Sequence, residues 1–201
     1  MRHYLTCLLV AVSLTGLFAC SSTPPANISD SCSIFTDKDN WYDDAKDSFE
    51  KWGVPIHVQL AIIHQESSFK YDAKPPKDYL LGFIPWGRMS SAYGYAQVKD
   101  STWDWYKEKT GNWGADRDDF GDAVDFIGWY GTVSHKTLGI SKWDAKNQYL
   151  AYHEGHGGFK RKTYKQKPWL VTVAAKVEKN AARYRAQLGQ CKDRLESGSW
   201  W

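Results

Sequence analysis

Beyond its first twenty residues, the chain carries apolar side chains at the three-and-four spacing of amphipathic helices, with little of the alternation that marks strands. Trp41, Ala45 and Phe49 form one such stripe, which Asp39 is placed to cap and Gly53 to stop. Pro55 suits a first helical position and opens 56–67. Val58, Leu60, Ala61, Ile62 and Ile63 go most of the way round that segment, which predicts a helix buried in the core. Asp100 or Ser101 starts a third helix, with Gly111 beyond its end; Phe120, Val124, Ile127 and Tyr130 mark a fourth. Asp144 is placed to cap a fifth over 145–152. Pro168 opens a long last helix with Leu170, Val173, Val177, Ala181, Tyr184 and Leu188 on one face. The stretch 70–88 has three prolines, two glycines and no sustained period, so it reads as a loop. The pattern predicts a mainly α single domain over 34–191 and a C-terminal tail over 192–201.

The length of 201 residues fits one domain with a real core. With 42% hydrophobic and 24% charged residues, the chain is neither a disordered tail nor a multi-span membrane protein. Lys+Arg 26 against Asp+Glu 23 leaves no basic excess of the kind a nucleic-acid binder shows. The aromatic content departs from the ordinary: 11 Trp, 12 Tyr and 8 Phe make 15% of the chain. Such rings pair a flat apolar face with a polar handle and suit sugars, but they suit a rich core equally well.

The N-terminus reads as an address. A short basic start, Met1-Arg2-His3, precedes an apolar run over 4–18 that is too short to span a bilayer comfortably and the right size for a signal-peptide core. The run ends Leu17-Phe18-Ala19-Cys20 and is followed by Ser21, Ser22, Thr23, Pro24 and Pro25. This resembles a bacterial lipobox, with Phe18 bulkier than the usual residue there. It implies a signal peptide over 1–19, lipid on the Cys20 thiol, and a lipidated tether over 20–33. An ordinary secretory signal with Cys20 incidental is the other reading. Ser21 implies, by the same resemblance, transfer to the periplasmic face of an outer membrane. Cys32 and Cys191 then remain, and in an oxidising compartment they are expected to pair; two free thiols are the alternative.

The chemistry concentrates near Ile62-Ile63-His64-Gln65-Glu66-Ser67-Ser68-Phe69. Glu66 follows Ile62 by four and Ile63 by three, on a face continuous with them. An acid against apolar walls loses solvation of its charged form, its pKa rises, and it can then serve as a general acid. A last-turn glutamate frayed out to water fits this segment equally well. Two further segments bear on the choice: Gly94-Tyr95-Ala96-Gln97, and Ala151-Tyr152-His153-Glu154-Gly155.

With Glu66-Ser67-Ser68-Phe69, the three resemble, in order and spacing over about 55–190, the SLT-type lytic transglycosylases of the lysozyme-like superfamily (glycoside hydrolase family 23-like). The signatures of that family read E-S-x-F, G-L-M-Q and A-Y-N-x-G, and the lipoprotein form resembles its membrane-bound endolytic members. The resemblance implies a mainly α, lysozyme-like fold with a deep substrate cleft and no metal or cofactor. It implies cleavage of the β-1,4 bond between N-acetylmuramic acid and N-acetylglucosamine in peptidoglycan, with 1,6-anhydro ends as product. By position it makes Glu66 the single acid and base. It places Ser67, Ser90, Tyr93, Gly94, Ala96, Gln97, Tyr152 and His153 at the substrate, with Gln97 and Tyr152 contacting it or orienting the acid and Gly94 permitting close backbone approach.

The departures keep other readings open. Tyr95 and Ala96 stand where the family has Leu and Met, which is expected to alter the wall against the sugar. His153 replaces Asn, and an imidazole does not donate and accept from one planar group as an amide does, so the hydrogen bonding at that spot is open. Glu154 replaces a small residue; it is either a solvated helix-end charge or the second carboxylate of a water-using, lysozyme-type hydrolase, a role Asp72, Asp78 and Asp100 could also fill. A non-catalytic peptidoglycan-binding lipoprotein is a third reading. His153-Glu154-Gly155-His156 departs from the H-E-x-x-H zinc spacing and lacks an obvious third ligand. His57 and His64 read as core or supporting residues, and Trp103, Trp105, Trp129 and Tyr130 as core. Trp86 is the aromatic expected at the cleft. The basic run over 160–167 reads as a solvated loop, or as an attractor of acidic stem peptides or anionic lipid. The Trp200-Trp201 end has no explanation in the residues, and nothing in them names a protein partner.

Overall fold

The computed structural model describes residues 23–81 and 83–197, and its helices begin where local capping chemistry allows. Helix α1 (Ser31–Asp37) starts where the Asp30 carboxylate accepts hydrogen bonds from the Cys32 and Ser33 amides at 2.8 and 3.1 Å. Helix α2 (Trp41–Trp52) ends at Gly53 as predicted, but its cap is Asn40 in a left-handed conformation, which leaves Asp39 outside. Pro55 likewise precedes α3 (Ile56–Ser67) rather than opening it. Helix α4 is Asp100–Thr110, and α5 is Phe120–Leu138 behind an Asp119 cap that accepts from the Asp122 amide at 2.9 Å. Asp144 caps α6 (Ala145–Lys160), accepting from the Asn147 amide at 3.0 Å, and α6 continues well past the predicted end. A 3-10 turn (Thr163–Gln166) leads into α7 (Pro168–Ser197).

The core forms around α3, whose Val58, Leu60, Ala61, Ile62 and Ile63 are all buried, as its pattern requires. Helix α7 covers α3 and α6 with the predicted stripe: Leu170, Val177, Ala181 and Tyr184 are buried, and Val173 and Leu188 pack at its margin. Helices α2 and α5 approach closely. The Ser48 hydroxyl donates to the Val124 carbonyl at 2.7 Å, and Trp41 stacks on Phe120 at 3.8 Å between ring centroids. Much of the aromatic content serves this interior: Trp103, Tyr106, Trp129 and Tyr130 are buried. Cys32 in α1 is disulfide-bonded to Cys191 in α7, joining positions 159 residues apart.

The segment expected to be a loop over 70–88 contains a hairpin. Strands β1 (Lys77–Leu80) and β2 (Ile84–Arg88) pair antiparallel, with Lys77 opposite Arg88 and Leu80 opposite Ile84. A bulge between Asp78 and Tyr79, with Pro85 opposite it, breaks the period of two on which a strand assignment depends. Among the described residues no helix is long and apolar enough to cross a membrane. The expected signal peptide, the Cys20 lipid site and the Trp200-Trp201 end lie outside the described residues.

Candidate active site

Glu66 sits in the last turn of α3, and that turn is fixed rather than frayed. Ser68, in a left-handed conformation, caps it by donating its backbone N–H to the His64 carbonyl at 3.1 Å, and Phe69 beyond is fully buried. The Glu66 carboxyl faces a cleft of about 430 Å³. Burial pushes its pKa from 4.5 up to about 7, and a hydrogen bond from the Tyr149 hydroxyl partly opposes that rise. The same burial and the neighbouring carboxyl hold the Tyr149 phenol well above its usual range, so it stays a donor.

Ser90, Gln97, Tyr152 and His153 line the cleft with Glu66, while Phe126 and Tyr130 add apolar wall. Tyr152 ties one wall to another, its hydroxyl donating to the Ala96 carbonyl at 2.5 Å. Gln97 turns its amide nitrogen to the Ala73 and Gly94 carbonyls at 2.8 and 2.9 Å, holding the 94–97 turn against the loop after α3. Ser90 accepts the Ala92 amide at 3.1 Å.

The other expected site residues stay out of the lining. Ser67 is buried and donates back to the Ile63 carbonyl at 3.3 Å. Tyr93 donates to Asp118 at 2.9 Å. Ala96 takes part through its carbonyl alone. Gly94 has φ +77, and a Cβ there would stand 1.9 Å from the Arg117 carbonyl oxygen, so the close backbone approach it permits is to Arg117. Tyr95 is no cleft wall: it is buried edge-on to Trp41 and Phe120 at 5.5 and 5.7 Å. Trp86 is likewise outside the lining, 73% exposed on β2 beside Leu81, Phe83 and Met89.

Gly155 breaks α6 with φ 70 and ψ 160, a conformation essentially restricted to glycine. The break turns the Glu154 side chain, only 3% exposed, onto the start of α7. There it accepts from Lys167 Nζ at 2.7 Å, from the Thr163 hydroxyl, and from His153 Nδ1 at 3.3 Å. Burial alone would raise its pKa, but these donors outweigh burial and hold it at about 2. Glu154 is therefore an ionised anchor and not the solvated helix-end charge expected. Lys167 is drawn from the basic run by this pair, while Lys160, Arg161, Lys162 and Lys165 remain exposed.

The remaining described candidate acids and ligands are dispersed, and the Asp78 side chain lies outside the described ones. Asp100 pairs with Arg117 at 2.8 Å, and Asp72 is exposed outside the lining. His156 meets the Ser134 hydroxyl at 2.9 Å and stacks on Tyr130, across the break from His153. His57 is buried and His64 bonds Tyr184. Among the described residues no three His, Cys, Asp or Glu side chains converge as a metal group.

Tyr149 was not picked out from the sequence, although a signal was present: it precedes Tyr152 by three, one helical turn on the same face. The Glu154–Lys167 pair had no such signal, since it depends on the Gly155 break. A family model described as "Transglycosylase SLT domain" matches residues 7–191. No curated protein and no solved structure matches the chain at a significant level.

Proposed function

The chain belongs to the transglycosylase SLT-domain family, a peptidoglycan lytic transglycosylase family, and from that membership we propose that it cuts the bond between N-acetylmuramic acid and N-acetylglucosamine, leaving 1,6-anhydro ends. The observation that carries this reading is the Glu66 carboxyl, set in the cleft wall with its pKa raised to about 7. A large share of it is protonated at neutral pH, so it can give its proton to the glycosidic oxygen as the C1–O bond breaks. The carboxylate left behind takes the proton of the muramic C6 hydroxyl while that oxygen bonds to C1. Glu66 is thereby reprotonated, the anhydro ring is closed, and no water is consumed. The substrate's own 2-acetamido group supports the electron-poor C1 between the two events.

A water-using mechanism asks for a second free carboxylate to activate water. Among the described residues of the lining the other acid is Glu154, and its oxygens are committed to Lys167, Thr163 and His153. This favours the internal hydroxyl as acceptor. Mass spectrometry of muropeptides released from purified peptidoglycan tests the proposal, with Glu66→Gln beside the wild type. Anhydro-muramic ends that vanish with Glu66→Gln are expected. Reducing ends would overturn the transglycosylase reading, and no release by either protein would favour a binding module.

We also propose that residues 1–19 are removed and that lipid on Cys20 anchors the enzyme at the periplasmic face of the outer membrane. Support comes from the apolar run, the Leu17-Phe18-Ala19-Cys20 sequence and the Cys32–Cys191 disulfide, which suits an oxidising compartment. Palmitate labelling in cells, lost in Cys20→Ala, is the expected result.

A further inference from the structure

Trp169 is large, apolar and 56% exposed, yet its position is tightly determined. It is the second residue of α7, between Lys167, which is ion-paired to Glu154, and Leu170, which is fully buried. Its indole lies edge-on to the His153 ring, 5.3 Å between centroids, and His153 lines the cleft. His153 is in turn 6.4 Å from the ring of Tyr149, whose hydroxyl bonds Glu66. A continuous run of rings thus leads from the acid to the outer rim, and it ends in an indole that water wets.

We propose that Trp169 and His153 form a saccharide-binding subsite that continues the cleft beyond Glu66 and holds one pyranose unit of the glycan strand away from the bond being cut. The proposal rests on the reading of the cleft as a glycan site and adds to it a subsite and the residues that make it. An exposed indole offers a flat apolar surface to the C–H face of a sugar, and covering it removes apolar area from water. The His153 ring supplies the polar complement. Its Nδ1 lies 3.3 Å from a Glu154 oxygen, which leaves Nε2, on the other side of the ring, to meet a sugar hydroxyl. The Glu154–Lys167 pair gives the subsite its rigidity, because it joins the two segments that carry its two rings.

The test measures binding calorimetrically in the Glu66→Gln protein, with glycan strands freed of peptides and sorted by length. Trp169→Ala in that background should weaken long strands by about tenfold and leave a disaccharide unchanged; Trp169→Phe should retain most of the affinity. Trp113→Ala, which removes an indole 69% exposed and outside the lining, should change neither. Equal affinity of the Trp169→Ala protein and its parent for long strands would overturn the subsite while leaving the cleft reading intact. Equal weakening of long and short strands, with a lowered melting temperature, would show a structural role for Trp169 and overturn it as well. A parent protein that bound no strand of any length would overturn the cleft reading and the subsite together.

Discussion

The Tyr149 hydroxyl donates a hydrogen bond to the Glu66 carboxyl, and that bond acts on the acid's pKa in the opposite sense to burial. Burial favours the protonated acid; the phenol favours the carboxylate. Their balance leaves Glu66 near 7, where one group can both give and take a proton. Activity that needs a protonated Glu66 should therefore fall as pH rises past 7. Tyr149→Phe removes the bond that favours the carboxylate, so the alkaline limb of kcat against pH should move up, by about one pH unit or less. A limb that moved down would contradict this assignment.

Glu66 should also cost the fold stability at alkaline pH. Its ordinary pKa is 4.5 and its folded value about 7. The unfolded chain thus loses this proton first as pH rises, and stability declines between pH 4.5 and 7 and then levels. Glu66→Gln should match the wild type near pH 4 and exceed it at pH 8, by on the order of 3 kcal/mol. Urea melts at the two pH values measure the difference.

Glu154 has the opposite sign. Its pKa is held down at about 2, so its contribution is present above pH 4.5 and is lost as pH falls from 4.5 towards 2. Glu154→Gln should destabilise the protein by about 1–2 kcal/mol at pH 7 and flatten its acid-side loss. The products should still be anhydro-muramic ends. Loss of turnover without loss of stability would assign Glu154 to the chemistry.

Gly94→Ala should be among the most damaging single-methyl changes in the chain. The added carbon meets backbone, the Arg117 carbonyl oxygen and carbon at 1.9 and 2.5 Å, at a position already at φ +77. Arg117 also holds the Ser91 and Val98 carbonyls at 3.1 and 2.8 Å, so a shift there loosens the turn that carries Gln97. Low soluble yield and a melting temperature lowered by several degrees are expected, whereas Gly111→Ala, which shares the positive φ (+75) but has open space around its Cβ, should fold with a smaller loss.

The disulfide closes a loop of 159 residues, for which chain entropy sets a contribution of roughly 5 kcal/mol. Replacing Cys32 and Cys191 together by serine should lower the melting temperature markedly. Reductant should then lower the wild type and leave the double variant unchanged. A wild type indifferent to reductant would mean that the bond is absent.

The sequence by itself determined the helices and what they hide. The all-round apolar character of 56–67 required a buried α3 and the stripe on α7 specified its inner face, while the same segment left Glu66 free to meet either a cleft or water. These are local matters, because helical periodicity assigns each residue a face without reference to the rest of the chain. What each face meets was decided only by tertiary structure. Tyr149 reaches Glu66 because α6 packs beside α3; Gly94 serves Arg117 because a distant carbonyl lies against it; Trp86 is left on a hairpin that its bulge had concealed. Glu154 shows the division most sharply. Its identity raised the question of a second catalytic acid, whereas its ionised, paired state came from the break at Gly155 and the placing of Lys167 across it, since the state of a carboxyl follows the charges and solvent that surround it in space.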